Sequence, residues 1–171
     1  MKKIILSILF IIFCNTSVFA NSPHYLDFKF ILNESDAGKK AQIFLKKKLD
    51  NGFKNIKDKE SKILEEEKKI IQQKKIISSD EYKKKVSELR KKVSALQKER
   101  ESLLQSVAKK RSEARKILLK NLNPILKEYM KENNVRVVID KKSILLADET
   151  LDLTKKIMGE LNKKLKNINL D

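Results

Sequence analysis

The side chains that ordinarily carry chemistry are scarce in this chain and badly placed for it. There is one histidine, His24, and one cysteine, Cys14, among 171 residues. Nucleophilic catalysis needs a serine or thiolate beside a base that a third group orients, and the order of residues offers neither that arrangement nor a glycine-rich phosphate loop. Glu65-Glu66-Glu67 would spread its carboxylates around a helix instead of gathering them in a cleft. Asp140 and Asp148 flank an apolar run and could suggest an acid/base pair, but turn and loop chemistry explains both. His24 reads as an incidental surface residue. No enzyme, cofactor or metal site is expected.

What the chain does carry is positive charge: 40 Lys and Arg against 23 Asp and Glu, a formal net of +17. Part of it belongs to a leader. Lys2 and Lys3 precede an apolar run from Ile4 to Cys14, followed by polar Asn15 to Ser17 and Val18-Phe19-Ala20, the pattern of a secretory signal peptide cut after Ala20. The run is about half of the roughly 20 residues that span a bilayer, so a retained anchor is the weaker reading. A lipoprotein site at Cys14 is weaker still, because bulky Phe13 stands where such sites want a small residue. Cleavage would deliver a periplasmic chain without cysteine, and hence without disulfide or thiolate ligand. In the mature chain 38 basic residues face 23 acidic ones, and Phe53 to Asn123 alone holds 22 against 11, a net of +11.

Basic proteins often bind nucleic acid, but an exported one seldom meets it, and no nucleic-acid partner is predicted. Acidic polypeptides, anionic lipid headgroups and lipopolysaccharide phosphates are the available partners. Screening over about 8 Å at physiological salt makes this a short-range attraction. The plain alternative is a solvated helical face whose lysines confer solubility.

The element that would position this charge is Phe53 to Asn123, which contains no glycine or proline in 71 residues. Leu49, Ile56, Ile63, Ile70 and Ile77 recur at seven-residue intervals on an outgoing helix that starts near Ala37. Gly52 is a candidate bend near its root. Ser78 and Glu81 have capping-box spacing, with Ile77 and Tyr82 placed as a hydrophobic staple, so the helix should break and restart there as a hairpin tip. Tyr82, Val86, Leu89, Val93, Leu96, Leu103 and Val107 form the returning seam. Folding at the tip makes facing positions sum to about 157. Ile70 then meets Val86 and Leu89, Glu67 faces Arg90, and Glu60 reaches Arg100. So thin a seam predicts an arm that is helical yet mobile relative to its base.

Around the arm the pattern changes. Tyr25 to Leu32 alternates as a strand with Leu26, Phe28, Phe30 and Leu32 on one face. Pro124 should kink or restart the returning helix, and Asn133-Asn134 should stop it. Val135, Val137 and Ile139 read as a second strand, Asp140-Lys141-Lys142 as a tight turn and Ile144 to Leu146 as a third strand, making a β-hairpin. Leu153, Ile157, Leu161 and Leu165 line a final helix, with a frayed tail from Lys166. The predicted class is α+β, mainly α: a long antiparallel helical-hairpin (coiled-coil) arm over 39–123, tip near 77–80, on a small β-containing trimerisation body. That body is discontinuous, from 21–38 and 124–171, behind the signal peptide of 1–20.

With these elements in place the chain resembles the Skp/OmpH family of periplasmic chaperones. The resemblance rests on Ile31-Leu32-Asn33-Glu34-Ser35-Asp36-Ala37-Gly38-Lys39-Lys40-Ala41, on Val137-Val138-Ile139-Asp140-Lys141-Lys142-Ser143-Ile144-Leu145-Leu146-Ala147-Asp148, and on Leu151-Asp152-Leu153-Thr154. It implies a homotrimer whose body is assembled from short strands of each subunit, with Leu26, Phe28, Phe30, Leu32, Val135, Val137, Ile139, Ile144 and Leu146 as its residues. It further implies arms that enclose unfolded outer-membrane proteins and prevent their aggregation without ATP. The basic residues near the tip, Lys68, Lys69, Lys74, Lys75, Lys83, Lys84, Lys85, Lys91 and Lys92, are the candidate client contacts. Anionic lipid or lipopolysaccharide is a further surface the charge could meet, with no specific site assigned. The competing class is a periplasmic coiled-coil scaffold or adaptor, which leaves the net +11 of the arm without a reason.

Overall fold

The computed structural model describes residues 22–170, so the predicted leader lies outside the described residues. The chain opens on strand β1, His24–Leu26, and turns at once into helix α1, Phe28–Glu34. Helix α2 spans Asp36–Gln73, α3 spans Ser79–Glu132, strand β2 is Val138–Asp140 and α4 is Thr154–Lys164.

The expected strand over Tyr25 to Leu32 is therefore corrected to three residues followed by a helix. Asp27 is the reason. Its carboxylate accepts the Phe30 amide at 2.8 Å and caps a new helix, while its own N–H donates to Thr154 Oγ1 at 2.8 Å. The helical turn buries Ile31 completely and leaves Phe30 on the exposed side, the reverse of what alternation implied. Ser35 then caps α2 through the Gly38 amide at 3.2 Å, as the run of short polar residues there suggests.

β1 and β2 pair in parallel, Tyr25 opposite Ile139, so the whole arm is the crossover between them. The expected hairpin is absent from the described residues. Lys141–Ser143 form a 3-10 turn capped by Asp140, and Ile144 to Leu146 make no strand. Leu145 and Leu146 stand out in solvent with nothing to pack on, and a strand pairs only where a neighbouring edge is offered. Val135 is likewise not in a strand. It ends α3: Asn134 takes a left-handed φ of 54° and the Val135 amide bonds the Met130 carbonyl at 2.9 Å. That is a Schellman ending with asparagine in the position glycine usually holds.

The core sits where α1, the start of α2, the end of α3 and α4 converge on β1. Leu26, Ile31, Ala37, Leu118, Leu122, Ile125, Leu153, Ile157 and Leu161 are all buried there. Helix α3 runs through Pro124 without restarting. Nor does the tail fray at Lys166. Lys166 pairs with Asp36 at 3.6 Å, and Leu170 is buried against Ala41, Leu45 and Ala114 at the root of the arm, where Lys110 Nζ bonds its carbonyl.

Candidate functional site

The arm is an antiparallel hairpin of α2 and α3 that breaks where the sequence places the break. Ser78 Oγ accepts the Glu81 amide at 3.2 Å and opens α3. The Glu81 carboxylate lies 3.7 Å from Lys85 instead of closing the box on the Ser78 amide. The facing pairs Lys59–Glu99, Glu66–Lys92 and Gln73–Lys85 share one register, a single residue from the expected sum of about 157. Helix α2 continues through Gly52, where a side chain would overlap the Leu103 methyls. The glycine makes room for a seam leucine.

The seam is as thin as its spacing implies. Between Ile56 and Ala114, Ile70 is the one buried residue among those described. Ile63, Val86, Leu89, Leu96, Leu103 and Val107 are only partly covered, and the ion pairs beside them are exposed. Lys92 bonds both Glu66 oxygens at 2.7 Å, Lys59 bonds both Glu99 oxygens at 2.7 and 2.6 Å, and Arg100 lies 3.8 Å from Glu60. Each exposed pair stabilises by about 0.2–1 kcal/mol, so together they fix register more than they add stability.

The nine candidate lysines divide by their surroundings. Lys92 is held by Glu66, Lys85 by Gln73 and Glu81, Lys83 lies 3.8 Å from Asp80, and Lys74 sits 5.8 Å from the centre of the Tyr82 ring. Lys68, Lys69, Lys75, Lys84 and Lys91 are exposed and have no ionic or hydrogen-bonding partner among the described residues.

The pair expected between Glu67 and Arg90 is not formed. Both side chains line a groove of about 520 Å³ between α2 and α3, with Ile70, Ile71, Tyr82, Val86, Leu89, Val93 and Ser94. The expected meeting of Ile70 with Val86 and Leu89 is found on this lining. The signal for an unfilled stretch of seam is Glu67, which takes a seam position there in place of an apolar residue.

On the body, the residues predicted to build the trimer do two different things. Leu26 and Val135 are buried within the chain itself, and Phe28, Leu32, Ile139 and Ile144 are partly covered. Phe30, Val137, Leu145 and Leu146 are exposed, by 43%, 52%, 102% and 91%. A second hollow of about 520 Å³ takes in Leu145 and Leu146, together with Tyr25, Lys141, Ile144, Asp152 and Lys155. Within it Lys141 pairs with Asp152 at 3.0 Å and stands 5.7 Å from the centre of the Tyr25 ring. The hydrogen bond and charge of Asp152 raise the Lys141 pKa above its ordinary value. Burial opposes ionisation of Asp152, but bonds from Thr154 and from Lys141 outweigh it and hold the carboxyl below its ordinary range.

The residues first weighed for chemistry are used locally. The His24 ring lies 3.1 Å from the Ser22 carbonyl, Asp140 caps the Lys142 amide and Asp148 binds the backbone and hydroxyl of Thr150. Among the described residues no cluster of three potential metal ligands occurs, and no helix is long and apolar enough to cross a membrane.

Comparison with solved structures finds the same architecture in an OmpH-like protein of Caulobacter crescentus CB15 described as a candidate outer membrane chaperone. The TM-score is 0.79 at 17% identity, over 90% of this chain and 96% of that one. At this identity the likeness establishes the fold. No curated protein matches the sequence significantly. The family model for outer membrane protein (OmpH-like) matches residues 24–161, which takes in β1, the whole arm, β2 and most of α4. The chain belongs to the OmpH-like family.

Proposed function

We propose that this protein is an ATP-independent holdase of the periplasm, exported by a leader cut after Ala20, that keeps unfolded outer-membrane proteins from aggregating. The observation that carries the reading is the arm: a long two-helix hairpin with Ile70 as the sole buried side chain along most of its length and five unpaired lysines near its tip. A surface of this kind makes many weak contacts. Screened attraction from the lysines gathers a chain, and small apolar contacts hold it without selecting one fold. No residue set on the arm is arranged for bond chemistry.

The body supports assembly into a trimer. A two-stranded sheet is marginal on its own, and beside it Phe30, Val137, Leu145 and Leu146 expose apolar surface that gains by burial against a second copy. Residues 144–146 are free to become an added strand when a neighbouring subunit offers an edge. Three arms held from one such body would enclose a cavity.

The test is to dilute a urea-unfolded porin-type barrel into buffer with the mature protein and no nucleotide, and to follow light scattering. Suppressed aggregation at near-stoichiometric trimer is the expected result. Unchanged aggregation would leave the scaffold or adaptor reading in its place. Sedimentation of the same sample should give an elongated trimer, and a monomer would refute the cage.

A further inference from the structure

The groove between α2 and α3 near the tip is an opening in the seam. Ile70, Tyr82, Val86 and Leu89 line it, and Ile71 and Val93 on its walls are exposed by 60% and 51%. We propose that this groove is a discrete seat on the arm for one apolar, preferentially aromatic side chain of an extended polypeptide whose neighbouring residues are acidic. The inference rests on the holdase reading and adds to it a place and a selectivity.

Size and chemistry both argue for this occupant. A concave volume of about 520 Å³ falls within the range of small-ligand sites and is lined mostly by apolar and aromatic side chains. Glu67, at a seam position, and Arg90 line it without pairing with each other, and Ile71 and Val93 beside them are left exposed above a buried Ile70. Arg90 is a guanidinium on the lining with no partner among the described residues. Lys68 and Lys75 stand one helical turn either side of Ile71, and neither has an acidic partner. An aromatic ring entering the groove would bring its neighbours within reach of these three cations, and Glu67 is the single acid of the lining. Carboxylates beside the ring are favoured and lysines are not. A lipid surface would be met better by a flat basic face than by a concave one with cations on its rim.

The experiment uses the full mature protein with Ile71→Ser and Val93→Ser combined, and Leu64→Ser as the control, an arm residue 51% exposed outside the groove. All three side chains are exposed, so the fold is retained and circular dichroism checks it. The probes are two labelled peptides carrying one phenylalanine, flanked by aspartates in one and by lysines in the other, with unfolded porin as a third arm. The groove predicts about tenfold weaker binding of the aspartate peptide by the double variant, about twofold or less by the control, and about tenfold discrimination between peptides by the unmodified protein. A photocrosslinker at position 71 should capture the porin. Unmodified and doubly substituted protein holding porin equally well would overturn the groove and leave the holdase standing. Peptide binding that is lost in the double variant, in a protein that never suppresses porin aggregation, would overturn the holdase and leave the groove. Crosslinks from position 71 to a second copy's arm would make the groove a self-contact and refute the proposal.

Discussion

The carbonyl of Leu32, near the end of α1, lies against Gly38 in the first turn of α2, where any side chain at 38 would collide with it and stand 2.9 Å from Ser35 Oγ. This contact folds the entry strand and α1 back onto the arm's root. Backbone and a fully buried serine surround the site, so neither can move aside cheaply.

The three glycines should therefore respond differently to alanine. Gly38→Ala is expected to destabilise by about 1–3 kcal/mol through overpacking against backbone. Gly159, with no atom within 4 Å of an added methyl, should gain about 1 kcal/mol of helix propensity. At Gly52 the obstacle is the end of the Leu103 side chain, which is half-exposed and can swing out, so the two effects should nearly cancel. Thermal melts of the three variants check the order; a stabilised Gly38→Ala would contradict the close contact.

The tail is expected to hold the arm's root. Leu170 fills a small site made by Ala41, Leu45 and Ala114, and Lys110 and Lys166 tie the same segment to α3 and α2. Leu170→Asp should lower hydrogen-exchange protection around Ala41 to Leu45 and Val107 to Ala114, with a local cost of about 2 kcal/mol. Protection near Leu122 and Ile157 should stay as it was. Equal protection at the root in both proteins would mean that the tail rests on the arm without restraining it.

Acid should loosen the body. The folded pKa values of Asp148 and Asp152 are lowered, Asp148 by bonds from Thr150, and Asp152 by bonds from Thr154 and Lys141 against the opposing effect of burial. A lowered carboxyl stabilises above its unfolded value of about 3.9, and that contribution is lost as pH falls through the folded value. Lys141 acts in the opposite sense: its raised pKa contributes below the ordinary lysine value and is lost on strong alkalinisation. Denaturant melts from pH 7 to 3 should show a steeper loss of stability for the unmodified chain than for Asp152→Asn. Parallel curves would remove Asp152 from the account.

How far the sequence foretold the molecule depends on how local each signal was. The tip was legible because Ser78 and Glu81 carry a cap whose geometry is complete within four residues, and the register followed from it, down to Glu60 against Arg100. Asp27 carried a cap too, three residues before Phe30, but the alternation from Tyr25 to Leu32 outweighed it, and Ile31 was assigned to the wrong face. The parallel pairing of Tyr25 with Ile139 was not legible, because its partners are 114 positions apart and three residues each. Helical propensity marks Gly52 only as a candidate bend, because the facing Leu103 is invisible to it. The tail was read as frayed because Ile168 and Leu170 follow no helical period, and only the small residues at 41 and 114 explain why they dock.

The five unpaired lysines give the sharpest test of the charge. Reversing Lys68, Lys69, Lys75, Lys84 and Lys91 to glutamate changes the arm by ten charges, from +11 to +1, and breaks no ion pair among the described residues. Stability should hardly move, since surface substitutions away from packed or paired groups stay within about 0.5 kcal/mol. Capture of an unfolded acidic porin should weaken by about tenfold or more at low salt, and most of its salt dependence should vanish, because screening acts on the attraction those lysines supply. Reversing Lys85 and Lys92 instead should unsettle the Gln73 and Glu66 contacts and show first as altered exchange in the arm, with a smaller effect on capture. Capture that is unchanged in the fivefold variant would reduce these lysines to solubilising groups. The apolar surface would then have to hold the client alone.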